Sequence, residues 1–248
     1  MQNKLSESMT SNVNVIKVTE HDGMKGYSVG ASGVIICKEE QTYYALTAYH
    51  VIKEENTSYL VSTINDETIN EYRENHPEVG HVDLSGYYSQ FAKAKIIYTC
   101  EASDLAIIRF KSKQDLAVAY ISGTVPVKGD RIVAVGTDAV NNTYFVTTYG
   151  KVKSGRLSTF QTEDGQIENN VLKHNAYIVE GFSGGAVFNE NMELVGITIG
   201  GGTDNFGRFR YGAMIPCDQI QQCISESEVK IKSVVNSLQI LEEEHACL

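Results

Sequence analysis

Short β-rich segments separated by polar turns follow one another between residues 29 and 216. VIIC and YYALTA flank the turn KEEQT, and GDRIVAVG and YFVTTYG flank a pair of asparagines. Many short strands with turns at regular spacing are typical of β-barrels and β-sandwiches. The period changes only after residue 217, where apolar residues recur at helical spacing: Ile220, Ile224, Val234, Val235, Leu238 and Leu241. The sequence therefore predicts a mainly β protein with a C-terminal helix.

The net charge and hydropathy of the chain argue against some classes of function. The 248 residues carry a net charge of −10, which argues against a broad basic surface for nucleic acid or anionic lipid. No segment approaches the roughly 18 consecutive apolar residues of a membrane span, and the N-terminus MQNKLSESMTSNVNV is too polar for a signal peptide. We expect a cytoplasmic protein that binds neither nucleic acid nor membrane.

The five cysteines are widely spaced and form no CxxC pair. Such spacing indicates neither a disulfide framework nor a metal site. We therefore expect a reduced protein without a metal ion or an organic cofactor.

The segment GFSGGAVFN, residues 181–189, carries the strongest chemical signal. Gly181, Gly184 and Gly185 allow a tight turn from which the Ser183 hydroxyl projects while neighbouring backbone N–H groups converge on one point. The segment taken alone also fits a glycine-rich hairpin turn, so its meaning depends on the other motifs of the chain.

Two further residues have settings that suit catalysis. His50 ends a β-rich segment in TAYHV, and Asp104 in SDLAII immediately precedes a continuously apolar strand. An unpaired buried carboxylate is costly, so Asp104 needs a partner such as an imidazole N–H. The other histidines lack such a setting and are interpreted as exposed or structurally satisfied: His21, His76, His81, His174 and His245.

In this order, TAYHV, SDLAII and GFSGG resemble the His, Asp and Ser motifs of chymotrypsin-like serine peptidases. GDRIVAVG, TTYGKVKSG, GFSGGAVFNENMELVGITIGG and YGAMIP further resemble the protease domain of the HtrA family, without its PDZ module. The resemblance covers about residues 28–220. It implies two six-stranded antiparallel β-barrels, the chymotrypsin fold, over residues 26–217. Residues 1–25, polar and without strong periodicity, would form an N-terminal arm or a loose first strand, and residues 218–248 a C-terminal helix and acidic tail.

The same resemblance implies a serine endopeptidase that acts through an acyl-enzyme intermediate. Ser183 would attack the scissile carbonyl, His50 would transfer the proton, and Asp104 would orient the imidazole. The backbone N–H groups of Gly181 and Ser183 would form the oxyanion hole. The partner would be a protein or peptide substrate, with no metal ion in the site.

Two positions depart from the digestive members of this clan. Phe182 stands where those enzymes have an aspartate that captures a new N-terminus, so we expect activation by loop ordering and an activating protein partner. Tyr177 stands where trypsin-type enzymes have an acid, so a small or apolar residue before the scissile bond is expected. The candidates for the substrate pocket are Tyr177, Thr198, Ile199, Gly200 and Tyr211.

Other readings stay open at this point. A catalytically inactive chymotrypsin-fold module that only binds is the main alternative, and a non-peptidase hydrolase would need the G-x-S-x-G elbow that this chain lacks. As a protease, it would be a processor of a viral polyprotein or a partner-controlled bacterial enzyme. Residues 53–90 look like a long polar loop with one strand, which is either a docking or lid element or a tolerated surface insertion.

Overall fold

The structure is a computed structural model that describes residue 8 and residues 10–78, 84–141, 143–161 and 167–227. The first half of the chain forms a closed antiparallel barrel in the order β1-β2-β3-β6-β5-β4. Its inner face is filled by aliphatic side chains such as Val13, Val15, Ile35 and Ile108. The strands are β1 Asn12–His21, β2 Met24–Glu39, β3 Thr42–Ala48, β4 Ser58–Thr63, β5 Ala92–Cys100 and β6 Leu105–Lys111.

The second half forms a seven-stranded sheet in the order β8-β7-β11-β12-β13-β10-β9. The pairing of its strands does not close this sheet into a barrel. A single β-bridge between Val152 and His174 nevertheless brings the end of β8 against β10. Two backbone hydrogen bonds flank that bridge, at 2.7 and 3.1 Å. The strands are β7 Arg131–Asp138, β8 Thr143–Lys151, β9 Ser158–Gln161, β10 Ile167–His174, β11 Ala186–Phe188, β12 Leu194–Thr203 and β13 Phe209–Pro216.

The mainly β class, the first six-stranded barrel and the C-terminal helix are thus confirmed. The second half departs from the predicted six-stranded closed barrel. It has a seventh strand because β9 pairs with β10 and widens the sheet, and its edges meet only at the isolated bridge. Residues 175–179, which look β-rich in the sequence, form no strand.

Helices occupy the connections. They are α1 Tyr49–Ile52, α2 Ile69–Asn75, α3 Ser85–Tyr88 and α4 Cys217–Glu226, with a 3-10 turn at Glu101–Ser103. Ile220 and Ile224 of α4 are buried in the core cluster that both halves share, as the helical spacing predicts. The rest of the predicted C-terminal helix and the acidic tail lie outside the described residues.

Of the two forms predicted for residues 1–25, an arm or a first strand, the described residues from Asn12 onward form a strand. Asn12–His21 form β1, which pairs with β2 on one side and β4 on the other. Val13 and Val15 lie in the barrel core, and Asn14 is buried on the opposite face. The barrel therefore depends on β1 for closure, and an arm without it would leave two strand edges unpaired.

The insertion between His50 and Asp104 is also more ordered than a loop. A capping box begins α2, where the side chains of Thr68 and Glu71 each accept the other residue's backbone N–H. Aromatic side chains of α2, α3 and the following turn then pack on the outside of the barrel beside Ile16, Val18 and Leu60. These aromatic residues are Tyr72, Tyr87, Tyr88 and Phe91, with Tyr27 of β2 stacked on Tyr88.

Candidate active site

His50 and Asp104 meet because β3 and β6 are paired up to Ala48 and Leu105. The Tyr49 amide donates to the Asp104 carbonyl at 3.0 Å. The His50 amide donates to Asp104 Oδ1 at 2.8 Å, and His50 Nδ1 lies 2.6 Å from Oδ2. Asp104 has a left-handed backbone, with φ of 47°, and is 1% exposed. A buried carboxylate that accepts from both the backbone and the ring holds the imidazole in a single orientation.

Ser183 and His50 both line a cleft of about 740 Å³ between the barrel and the second sheet. The Ser183 carbonyl accepts from the Ser32 amide at 2.8 Å, which fixes the turn against β2. Gly184 has a φ of +84°, and a Cβ there would lie 2.1 Å from the Ser32 carbonyl oxygen. Only glycine fits such a close contact, so Gly184 allows Ser183 to lie against the first barrel.

The turn before Ser183 leaves two amides directed at the cleft. Val179 to Phe182 form a β-turn closed by a 3.2 Å hydrogen bond, and Gly181 has a φ of +97°, as in a type II turn. The Glu180 carbonyl accepts from the Ala139 amide at 2.9 Å. Because a trans peptide places its C=O and N–H on opposite sides, the Gly181 N–H is directed away from Ala139.

The hydrogen bonds of this turn separate two groups of amides. Those of Phe182, Gly184 and Gly185 donate to backbone carbonyls at 2.7 to 3.2 Å. Those of Gly181 and Ser183 have no acceptor among the described residues. Two uncommitted N–H groups beside the candidate nucleophile are what an oxyanion hole requires.

Ser32 of β2 organises this turn, although the sequence motifs do not single it out. Its hydroxyl donates to the Gly181 carbonyl at 2.7 Å and accepts from the Thr137 amide at 2.8 Å. Its own carbonyl accepts from the Thr47 hydroxyl at 2.7 Å. Ser32 is 3% exposed. The sequence signal for this role is a single polar residue beside the apolar run VIIC, since a buried hydroxyl needs hydrogen-bond partners.

Comparison with known families agrees with this geometry. A family model for the trypsin-like peptidase domain matches residues 31–197, more than half of the chain. The chain belongs to the trypsin-like peptidase family. The chymotrypsin-type serine peptidase predicted from the three motifs is thus confirmed at the level of the family.

Individual relatives are proteases, among them Do-like serine proteases. The Do-like HtrA of Lactococcus lactis subsp. lactis (strain IL1403) is 29% identical over 181 residues, which cover 71% of this chain and 38% of that protein. The Do-like HtrB of Bacillus subtilis (strain 168) is 25% identical over 168 residues, covering 67% and 31%. The magnetosome formation protease MamE of Magnetospirillum gryphiswaldense is 27% identical over 189 residues, covering 76% and 21%. The chain thus spans less than half the length of these curated relatives.

The candidate pocket residues of this trypsin-like peptidase domain do not all lie in the cleft. Ile199 and Gly200 line it. Thr198 is fully buried behind them, where its backbone bonds to Gly184 and Gly185. Tyr177 is 56% exposed and packs on Phe209, and Tyr211 lies under Lys173, with the ammonium 4.2 Å from its ring. Neither of these last two side chains lines the cleft; Tyr211 lies on β13, and Tyr177 lies in the segment after β10 that forms no strand.

The cleft wall contains a residue that sequence reasoning missed. Ile178 lines the cleft together with Val179, Phe160 and Gly201. A Cβ on Gly201 would lie 3.1 Å from Ile178 Cδ1, so the isoleucine covers the space over this glycine. The wall is therefore apolar and shallow beside Ser183.

One edge of β12 is open toward the cleft. Its register with β11 ends at Ile197, whereas its pairing with β13 continues to Thr203. Ile199 to Gly202 therefore have a free backbone edge along the cleft wall. An extended peptide can add to such an edge as another strand.

Among the described residues, no three His, Cys, Asp or Glu side chains are grouped as metal ligands, and Cys37, Cys100, Cys217 and Cys223 form no disulfide bond. None of the helices in the described ranges has both the length and the apolar character needed to cross a bilayer.

Proposed function

We propose that the chain is a serine endopeptidase that cleaves protein substrates through His50, Asp104 and Ser183. The observation that carries this proposal is the shared cleft. Ser183 and His50 both line it, and His50 Nδ1 lies 2.6 Å from the buried Asp104 carboxylate. Membership of the trypsin-like peptidase family supports the same assignment.

In this proposal, Ser183 Oγ attacks the scissile carbonyl carbon while His50 Nε2 accepts the hydroxyl proton. Asp104 stabilises the imidazolium that forms, and the Gly181 and Ser183 amides donate to the oxyanion. Collapse of the tetrahedral intermediate breaks the C–N bond, and His50 gives its proton to the leaving amine. Water then hydrolyses the acyl-enzyme with His50 as the base, and the serine hydroxyl is restored.

The cleft wall favours a substrate class. An extended segment adds to the free edge of β12, and its side chain before the scissile bond meets Ile178 and Ile199. A small aliphatic side chain fills such a shallow apolar space without steric overlap. A long basic side chain would place its charge against apolar groups, which disfavours cleavage after Lys or Arg.

We also propose control by an activating protein partner. Phe182 is 1% exposed and packs against Gly136, where digestive relatives have the carboxylate that captures an N-terminus. Ordering of the turn at Gly181 therefore depends on its hydrogen bonds to Ala139 and Ser32. A partner that favours those contacts would raise activity.

Labelling by a fluorophosphonate, read by intact mass, tests the proposal. One adduct on the wild-type chain and none on Ser183→Ala is the expected result. Asp104→Asn should slow labelling by about 10⁴-fold, because Nδ1 loses its acceptor and the tautomer is wrong. Glu101→Gln is the matched control, since the exposed side chain of Glu101 lies in the preceding turn and accepts from the Tyr49 hydroxyl.

The alternative, an inactive binding module, gives a different result. A folded wild-type chain that stays unlabelled, both alone and after addition of cell lysate, would overturn the proposal. Labelling only in the lysate would instead indicate a latent enzyme that needs its partner.

A further inference from the structure

A second cavity lies between the insertion and the second sheet, on the outside of the barrel. It has a volume of about 380 Å³, and we name it the insertion cavity. Its wall includes Ser62, Asp66, Glu67, Ile69, Tyr87 and Tyr144. Some of these residues belong to α2 and α3, in the segment that the sequence presents as a polar loop.

The chemistry of the wall favours a cation. Asp66 and Glu67 supply carboxylates, Tyr87 and Tyr144 supply aromatic surface, and no Lys, Arg or His is among the lining residues. Asp66 accepts from Thr63 and Gln114, and Glu67 from Asn75. A carboxylate has about four lone-pair sites, so both groups keep acceptor capacity. Carboxylates beside aromatic faces bind guanidinium and ammonium groups.

A buried chain of hydrogen bonds leads from this cavity to the oxyanion turn. Asn14 Nδ2 donates to Ser62 Oγ at 2.9 Å, and the Thr137 hydroxyl donates to Asn14 Oδ1. The Thr137 amide donates to Ser32 Oγ, which in turn donates to the Gly181 carbonyl, at 2.8 and 2.7 Å. Ser62, Asn14, Thr137 and Ser32 are all at most 3% exposed. Each of these hydrogen bonds is therefore shielded from water, and the loss of a hydrogen bond costs most in such a buried site.

The backbone provides a second connection. Tyr144 and Thr143 begin β8 at the cavity wall, and Thr143 pairs with Asp138 across the hairpin. The next residue, Ala139, donates its amide to the Glu180 carbonyl. The hairpin that lines the cavity thus also sets the direction of the Gly181 N–H.

We propose that the insertion cavity binds an arginine or lysine side chain of a partner polypeptide, and that its occupancy favours the oxyanion-competent turn. The effect on catalysis rests on the proposed function above. A ligand that contacts the wall as it stands stabilises Ser62 and the β7–β8 hairpin in their present positions. Those positions are the ones that hold the carbonyls of Gly181 and Glu180 away from the cleft. The ligand is accordingly a positive effector.

Binding is tested with N-acetyl-arginine amide on the full chain after Ser183 has been blocked by fluorophosphonate, so that the active-site cleft is not counted. Chemical shift titration should give saturable binding, and N-acetyl-glutamine amide should give none. Glu67→Gln keeps an acceptor for Asn75 but loses the charge, and should weaken binding by at least about threefold. Glu74→Gln, an exposed site of α2 outside the cavity wall, should leave binding unchanged.

Coupling is tested by the rate of fluorophosphonate labelling with and without N-acetyl-arginine amide. The wild-type rate should rise several-fold on saturation. Ile64→Trp, at a half-exposed wall position, should block both binding and the rise. Ser62→Ala should still bind the ligand but lose the rise in rate, because the link to Asn14 is broken.

The two proposals fail separately in this design. A chain that is never labelled contradicts the serine peptidase assignment, whatever the titration gives. A chain that is labelled normally but does not bind the arginine derivative, or binds it with no change in labelling rate, overturns the effector site.

Discussion

The hydroxyl of Ser32 donates to the carbonyl of Gly181 at 2.7 Å across the boundary between the barrel and the second sheet. The backbone amide of Ser32 donates in turn to the Ser183 carbonyl at 2.8 Å. One residue of β2 therefore holds the carbonyls of both residues whose amides are the candidate oxyanion donors. Because each carbonyl and the amide of the next residue share a planar peptide, Ser32 limits how far the whole turn can rotate.

Ser32→Ala removes the donor to Gly181 and the acceptor of the Thr137 amide in a buried site. We expect the free energy of unfolding to fall by about 2 to 4 kcal/mol, since two buried groups lose their partner. The labelling rate of the folded protein should fall as well. Urea unfolding and the fluorophosphonate assay measure the two effects, and exposed Ser28→Ala on the same strand is the control for stability. Equal stability of the two variants would contradict the role given to Ser32.

Ala139→Pro tests the other contact of the turn. Proline lacks the amide that donates to the Glu180 carbonyl, so the Glu180–Gly181 peptide is free to turn its carbonyl toward the cleft. Loss of one oxyanion donor should slow labelling by about 10²-fold. Ala139→Gly keeps the amide and should retain most of the rate. A Pro variant that is folded and labelled at the wild-type rate would exclude this contact as a determinant of the turn.

The sequence predicted the parts of the site that depend on local chemistry. A serine among glycines, a histidine at a strand end and an aspartate before an apolar strand each have a setting that can be recognised without coordinates. Ser32 has only a weak signal, a single hydroxyl beside an apolar run, and Ile178 has none. Their roles depend on which segments the fold brings together: Ser32 bonds to Gly181, about 150 residues further along the chain, and Ile178 covers Gly201. Such contacts are a property of the tertiary fold.

Two elements of the first half have clear signals in the sequence. NVNVIKVT alternates polar and apolar residues with a period of two, which is typical of a strand with one buried face. Thr68 and Glu71 have the spacing of a capping box, which marks the start of a helix. The seventh strand of the second sheet also has a signal, because the β-rich segment LSTF overlaps β9 Ser158–Gln161. Its partner β10 has none, since IENNVLKH contains a glutamate and two asparagines, which are depleted in strands.

Ile178→Ala should widen the cleft wall over Gly201. The kcat/KM for peptides with Leu or Phe before the scissile bond should rise by about tenfold relative to that for peptides with Val. Ile132→Ala is the matched control, because Ile132 lies in the same core cluster but outside the cleft wall. Competition between peptide substrates in one reaction measures the ratio directly. An unchanged ratio would mean that Ile178 does not limit the side chain accepted there.

His174 gives the domain a dependence of stability on pH that is independent of catalysis. The residue is fully buried on β10, its ring lies against Gly212, and neither ring nitrogen has a hydrogen-bond partner among the described residues. Burial lowers the pKa of His174 from 6.5 to about 4, while the Ala176 backbone, near the ring but outside hydrogen-bond geometry, opposes the shift. The folded state therefore keeps this imidazole neutral at pH values where the unfolded chain binds a proton.

The sign of the effect follows from this difference. Above about pH 6.5 both states are neutral and the full stability is present; between 6.5 and 4 the unfolded state takes up more protons, so stability falls as the pH is lowered. The total loss should be about 3 kcal/mol. Urea unfolding at pH 7.5 and pH 4.5 should show this loss in the wild type and a much smaller one in His174→Leu. His21→Leu, at a position where the side chain is 90% exposed, should behave like the wild type. A His174→Leu variant that keeps the wild-type slope would assign the acid sensitivity to other groups.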